Sequence, residues 1–195
     1  DNGGVLRVAS NGPQRGEKAT PYQGGIRVAA VARWPQGGIE GGKVIDARMG
    51  YIDIMPTLKR IVGLEEEAVN PFDGLDVSDA IQGNETLPDR PWFTYYDQND
   101  DRQEKLAVNY DTFKLVVHRP APDGDYNTAT DIELFAIQED TQEADDRVAV
   151  GSDRGDELLA EINGFLSLKQ DNQIERFRVG REGFVAPKDW EAKGD

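Results

Sequence analysis

Residues 1–35 read DNGGVLRVAS NGPQRGEKAT PYQGGIRVAA VARWP, and this stretch decides the fold. Its first twenty-five residues are rich in glycine and polar side chains, which predicts loops with one short apolar stretch. Residues 26–34 are small, apolar and β-branched, and Pro35 follows them directly. This pattern predicts a buried strand from Ile26 to Trp34 that ends at the proline.

Two groups of polar residues in this stretch suit an anion held by a metal ion. Asp1 and Asn2 stand together on the first glycine-rich turn, and Lys18 stands on the second glycine-containing loop. Carboxylate and amide oxygens are ligands for Ca²⁺ or Mg²⁺, and an ammonium group stabilises negative charge that develops in a reaction. Taken singly, Asp-Asn-Gly-Gly is also a turn signal and most lysines are simply solvated.

Strand and helix patterns follow in a fixed order along the chain. Apolar residues with a helical period surround Tyr51 to Val62, where Asp53 is the predicted cap and Gly63 the predicted end. Short segments of strand composition then cover 92–96, 105–109, 112–118 and 132–137, separated by turn residues as in an antiparallel meander. The apolar face of 158–166 predicts a helix, capped by Ser152 or Asp153, that covers one face of this sheet.

Five motifs in this order resemble the C-terminal half of the sulfatase family, in the alkaline-phosphatase-like superfamily. The first is the glycine-rich and lysine-containing stretch described above. The others are Asp53-Ile54-Met55-Pro56-Thr57-Leu58, Phe72-Asp73-Gly74-Leu75-Asp76, Ala107-Val108 with Lys114-Leu115-Val116, and Glu133-Leu134-Phe135 with Glu139-Asp140 and Glu143. The resemblance extends from residue 1 to about residue 168.

The resemblance implies an α/β fold class: the C-terminal part of a sulfatase-like α/β domain, followed by a small antiparallel sheet packed by a helix. Residues 1–88 would finish the catalytic domain, residues 89–170 would form the sheet subdomain, and residues 171–195 would be an irregular tail. Because the first motif begins at Asp1, we expect a fragment whose partner is the missing N-terminal half of the catalytic domain.

The resemblance also implies a reaction, the hydrolysis of sulfate esters of small molecules or glycans. Asp1 and Asn2 match two ligands of the family's Ca²⁺, for which Mg²⁺ is possible, and Lys18 matches a lysine that contacts the sulfate. The remaining ligands and the formylglycine nucleophile would lie in the missing half, since no Cys/Ser-x-Pro/Ala-x-Arg motif occurs here. Alone, the chain is expected to be inactive.

Composition excludes several other classes. The net charge of −15 argues against binding nucleic acid through its phosphates. No apolar run approaches the roughly eighteen residues of a membrane helix, and the absence of cysteine excludes a thiolate metal site. The compartment stays open, although the family is often periplasmic, lysosomal or secreted. His118, the single histidine, matches no family motif and is expected to be structural.

Two alternatives remain open at this point. A phosphonate or phosphodiester hydrolase of the same superfamily would have a similar active site. The chain could also be a non-catalytic binding module derived from a sulfatase, and cooperative unfolding of the isolated chain would favour that alternative.

Overall fold

The structure is a computed structural model that describes residues 2–65, 70–84, 86–96, 105–118, 131–147 and 152–168. The chain divides into two compact units: Asp1–Val28 together with Pro91–Asp195, here called the sheet unit, and Ala29–Arg90, here called the helical unit. The helical unit ends at Arg90, and residues 1–28 belong to the sheet unit. The predicted domain boundary after residue 88 stays a prediction. The predicted tail, 171–195, lies outside the described residues.

The sheet unit contains a four-stranded antiparallel meander, as the turn spacing predicts. Its strands are β1 (Trp92–Tyr96), β2 (Lys105–Tyr110), β3 (Phe113–Val117) and β4 (Ile132–Phe135), in the order β1-β2-β3-β4. The register pairs Val108 with Leu115 and Leu115 with Leu134. Because side chains alternate across a strand, these apolar residues lie on one face, and the predicted sheet is confirmed.

A helix covers that face. In chain order it is the fourth helix, α4 (Asp153–Leu166), after α1 (Gln23–Ile26), α2 (Ile54–Ile61) and α3 (Ser78–Gln82). Its Leu158, Leu159 and Ile162 are buried in one cluster with apolar residues of β2, β3 and β4. Ser152 caps the helix by accepting a hydrogen bond from the Gly155 N–H at 3.2 Å. The helix is confirmed, and of the two predicted caps it is Ser152 that caps it.

The opposite face of the sheet carries a smaller apolar cluster and buried polar groups. Ala107, Val116 and Phe135 pack there against Tyr22. Lys114 and Glu143 are fully buried within the sheet unit. This face therefore holds the charged residues of the unit's interior, and the loops of residues 2–25 reach it through Tyr22.

The helical unit contains α2 and α3 and two 3₁₀ turns, Pro35–Gly37 and Tyr51–Asp53. Gly63, with φ of 69°, follows the end of α2, as predicted. Asp53 does not cap α2 with its side chain. Its buried carboxylate instead accepts hydrogen bonds from the backbone N–H groups of Gly50 and Leu75, each at 2.9 Å, and from Arg90. The predicted side-chain cap is thus wrong, because Gly50, three residues earlier, donates to one carboxylate oxygen, and the more distant Leu75 and Arg90 donate to the other.

The predicted buried strand from Ile26 to Trp34 is also wrong. Ile26 ends α1, residues 27–34 are exposed, and Val31 is 95% exposed. Apart from an isolated bridge between Trp34 and Ile39, none of these residues pairs with a strand in the described part of the chain. An apolar segment becomes a buried strand only where neighbouring strands satisfy its backbone and cover its side chains. The described residues supply no such neighbours.

Candidate functional site

Backbone hydrogen bonds join the glycine-rich turn to the lysine loop. The Gly3 N–H donates to the Gly25 carbonyl at 2.8 Å, and the Lys18 N–H donates to the Gly4 carbonyl at 3.2 Å. The segment that carries Asn2 and the loop that carries Lys18 are therefore adjacent, as the motif order predicts. Asp1 lies outside the described residues.

Asn11 fastens the two loops from the side. Its Nδ2 donates to the carbonyls of Gly4, at 2.7 Å, and Gly16, at 3.2 Å, while its Oδ1 accepts from the Gly4 N–H at 2.9 Å. An asparagine carries both a donor and an acceptor on one flat group, so it can serve backbone groups of two segments at once. The loops are consequently fixed by internal bonds despite having little regular structure.

Gly3 and Gly24 lie where two backbone segments are in direct contact, with no room for a side chain. A Cβ on Gly3 would lie 1.8 Å from the Gly24 carbonyl oxygen, and a Cβ on Gly24 would lie 2.5 Å from the Gly16 oxygen. No side-chain rotation could relieve either clash, since every atom involved belongs to the main chain. Glycine at these positions is what allows α1 to lie against both loops.

Glu17 and Ala19 flank Lys18 in the lysine loop. The Glu17 carboxylate accepts a hydrogen bond from the Leu6 N–H at 2.8 Å, so its negative charge has a local partner beside Lys18. Ala19 has φ of 69°, in the left-handed region that favours glycine. The Lys18 side chain itself is exposed, which leaves its ammonium accessible.

Behind the lysine loop lies a polar cluster formed by Arg15, Tyr22, His118 and Glu133. Arg15 donates to the Tyr22 hydroxyl and pairs with the Glu133 carboxylate, both at 3.0 Å. The Tyr22 hydroxyl donates to the same carboxylate, and His118 Nε2 lies 2.6 Å from it. The structure therefore turns Arg15 toward the sheet and places His118 beside the Glu133 carboxylate. The structural role expected for His118 stays a prediction.

A second charged pair lies deeper on the same face. Lys114 Nζ contacts Glu143 Oε1 at 2.5 Å, and both side chains are fully buried. The other carboxylate oxygen of Glu143 accepts the Gln23 N–H at 2.7 Å. Both oxygens of this carboxylate thus have a donor, as a buried charge requires.

The surroundings shift three pKa values. Burial, together with the neighbouring Glu133 carboxylate, raises the pKa of Tyr22 well above its ordinary value. Burial works against ionisation of Glu133, but hydrogen bonds from Tyr22 and His118 and the charge of Arg15 outweigh it and lower the pKa of that carboxyl. Burial also lowers the pKa of Lys114, against the opposing effect of Glu143.

The chain is similar in sequence to known proteins. No protein-family model matches the chain. Steryl-sulfatase of Homo sapiens is 32% identical over 93 residues, which are 48% of this chain and 16% of that protein. N-acetylgalactosamine-6-sulfatase of Canis lupus familiaris is 38% identical over 100 residues, 49% of this chain and 19% of that protein.

Solved structures agree in fold. The crystal structure of Ps i-CgsB has a TM-score of 0.70 at 22% identity, and the match covers 84% of this chain and 34% of that one. The structure of BT4656, in complex with its substrate D-glucosamine-2-N,6-O-disulfate, has a TM-score of 0.51 at 17% identity, covering 69% and 27%. About half of this chain is similar in sequence to part of the steryl-sulfatase and of the N-acetylgalactosamine-6-sulfatase.

The relationship has a defined extent. The chain spans 16% of the human steryl-sulfatase and 19% of the canine N-acetylgalactosamine-6-sulfatase that it matches. At identities below 25%, the two solved structures show the fold alone. The mixed α/β fold class predicted from the motifs is confirmed by the four-stranded antiparallel sheet and by the 84% coverage of the first structure.

The described residues do not test the predicted metal site, because Asp1 lies outside them. Within 2–65, 70–84, 86–96, 105–118, 131–147 and 152–168, no group of three or more His, Cys, Asp or Glu side chains is arranged to hold a metal ion. The donor chemistry of Asp1 and Asn2 still fits a hard cation, which takes roughly six to eight oxygen ligands when it is Ca²⁺. Their roles, and that of Lys18, stay predictions.

Sequence reasoning missed the polar clusters behind the lysine loop. The signal that could have found them is the alternation of β3, in which Lys114, Val116 and His118 share the face opposite Leu115 and Val117. Charged residues on a buried strand face need partners.

None of the helices in the described ranges combines the length and apolar character that crossing a membrane requires.

Proposed function

We propose that this chain supplies part of the active site of a sulfatase, an enzyme that hydrolyses sulfate esters. The observation that carries the proposal is the pair of backbone contacts that hold the Asn2–Gly4 turn against α1 and the lysine loop. The sequence similarity to steryl-sulfatase and N-acetylgalactosamine-6-sulfatase supports the same class of reaction.

In this proposal Lys18 is the residue of the chain that acts directly on the substrate. Its exposed ammonium would contact the sulfate group and stabilise the negative charge that develops as the alkoxide leaves. The Glu17 carboxylate beside it is bound to the Leu6 N–H, which orients that charge toward the backbone. The positive charge of Lys18 is therefore available to an anion.

Asp1 and Asn2 would contribute two oxygen ligands to Ca²⁺, or to Mg²⁺. When bound, the metal ion would supply positive charge to the sulfate oxygens. The remaining ligands and a formylglycine nucleophile would come from a segment outside these 195 residues. The substrate would be a sulfate ester of a small molecule or a glycan. Ps i-CgsB, which has a similar fold, has been solved in complex with k-i-k-neocarrahexaose.

The test uses the complete gene product that carries this chain and an aryl sulfate as substrate. Lys18→Ala should lower kcat by roughly 10²–10³-fold, the usual loss when one charge-stabilising donor is removed. Lys59→Ala removes the same charge from α2, in the helical unit, and serves as the control. Equal activity of the two variants would contradict the proposed role of Lys18.

Two further results would redirect the assignment. Hydrolysis of a phosphonate monoester or phosphodiester, with no sulfate release, would favour the phosphonate or phosphodiester hydrolase of the same superfamily. Absence of any hydrolysis, together with binding of a sulfated oligosaccharide in calorimetry, would favour a binding module. Sulfate release by the wild-type protein supports the sulfatase.

A further inference from the structure

We propose that Glu143 is a positioning residue that fixes the lysine loop and the Asn2 turn on the sheet, and that it acts through the backbone of α1. This inference rests on the proposed function, because it assigns Glu143 to the site in which Lys18 would contact the sulfate. Glu143 does not itself touch that site.

Three contacts converge on Glu143 from distant parts of the chain. Its two carboxylate oxygens bind Lys114 Nζ of β3 and the Gln23 N–H of α1, at 2.5 and 2.7 Å. Its backbone carbonyl accepts a hydrogen bond from Arg15 at 3.0 Å. Glu143 has φ of 55°, a conformation that is uncommon outside glycine, and its side chain is fully buried. The surrounding structure therefore fixes this residue closely.

Helix α1 is hydrogen-bonded to both the lysine loop and the Asn2 turn. Gly24 follows Gln23 directly, and its N–H donates to the Arg15 carbonyl at 2.7 Å. Arg15 lies three residues before Lys18. At the other end of the same short helix, the Gly25 carbonyl accepts the Gly3 N–H at 2.8 Å, next to Asn2. A shift of α1 would consequently displace the lysine loop and the Asn2 turn together.

The carboxylate is suited to this task because it offers two accepting oxygens. An amide replaces one of these oxygens by an NH2 group, so a glutamine at this position would turn a donor toward either the Lys114 ammonium or the Gln23 N–H. The donor left over would be buried without a partner. If Lys114 is also removed, the single amide oxygen can return to the Gln23 N–H. This reasoning gives a pattern of loss and rescue that ordinary destabilisation would not produce.

The experiment compares three variants of the complete gene product in aryl sulfate hydrolysis, at the same concentration of folded protein. Glu143→Gln should lower kcat about ten- to a hundredfold, because displacement of a charge-stabilising group by about 1 Å costs up to that much. Lys114→Met/Glu143→Gln should recover part of the loss, because the amide oxygen again accepts the Gln23 N–H while the buried amide NH2 group lacks an acceptor. Lys114→Met/Glu143→Leu, which has no side-chain acceptor for the Gln23 N–H, should stay impaired.

A matched control removes a negative charge from the same turn without touching α1. Glu139 pairs with Arg147 on the surface, its side chain is 72% exposed, and Glu139→Gln should keep the wild-type kcat. Hydrogen exchange at the Gln23 and Lys18 amides gives a second readout that needs no activity. Both amides should exchange faster in Glu143→Gln and in the Leu variant, and be protected again in the rescued variant.

The outcomes separate the two proposals. Equal kcat in the Gln and Leu double variants, with equal amide protection, would overturn the positioning role and leave Glu143 a structural residue. A wild-type protein that releases no sulfate would instead overturn the proposed function. In that case, the exchange pattern would still decide whether Glu143 holds α1 in place.

Discussion

Replacing Gly3 by alanine adds one methyl group where two backbone segments touch. The new Cβ would lie 1.8 Å from the Gly24 carbonyl oxygen, whereas ordinary contact begins at 3.4 Å. The turn must therefore move by about 1.6 Å, and it would carry Asn2 away from α1 and from the lysine loop. Because a displacement of about 1 Å within an active site can cost about 10²-fold in rate, Gly3→Ala should lower kcat/KM for a sulfate ester by about a hundredfold.

The matched control makes the same chemical change at Gly164 in α4. A Cβ there has no atom within 4 Å, and alanine should stabilise the helix by roughly 0.5–1 kcal/mol without altering activity. The assay is steady-state hydrolysis by the complete gene product, with circular dichroism to show that the sheet unit stays folded. Wild-type kcat/KM in a folded Gly3→Ala protein would refute the close packing of the turn and α1 as a requirement for activity.

Three further predictions concern the stability of the sheet unit. Leu158 is fully buried, so Leu158→Ala should lower the free energy of unfolding by about 3–4 kcal/mol in urea denaturation. Leu168 is 75% exposed, and Leu168→Ala should change the same free energy by less than about 0.5 kcal/mol. Ser152→Ala should cost about 1 kcal/mol, measured in the same way, through loss of the α4 cap. The raised pKa of Tyr22 means that the unfolded phenol ionises near pH 10 while the folded one keeps its proton; stability should therefore fall more steeply above pH 10 in the wild type than in Tyr22→Phe. Similar slopes in both proteins would contradict the proposed environment of Tyr22.

Sequence periodicity was sufficient to predict the sheet and α4. Period-two alternation places Leu106, Val108, Leu115 and Leu134 on one face, and the helical period of 158–166 supplies the layer that covers them. These patterns are local, and both layers of the core lie within the described residues. The prediction therefore needed no information about the rest of the protein.

The prediction of a buried strand for Ile26–Trp34 was wrong because the segments that would cover it are not among the described residues. Its composition is that of an interior strand, but burial depends on neighbours that the described residues do not contain. Composition indicates that a segment can be covered, and it does not show what covers it. The exposed Val31 is the clearest case.

The polar clusters could not be derived from local sequence because their partners are remote. Tyr22 and Glu133 are separated by 111 positions, and Arg15 and the Glu143 carbonyl by 128. Strand alternation indicated which face Lys114 occupies, but not which loop would reach it. The adjacency of the Asn2 and Lys18 loops was, in contrast, predictable from motif order and resemblance.

Sulfate release by the complete gene product decides most directly whether this chain belongs to a working sulfatase. The wild-type protein should hydrolyse an aryl sulfate faster than the corresponding phosphonate monoester, and Lys18→Ala should lose roughly 10²–10³-fold in kcat. Absence of sulfate release from the wild type, or full activity of Lys18→Ala in a folded protein, would contradict the assignment of the lysine loop to a sulfate-ester active site.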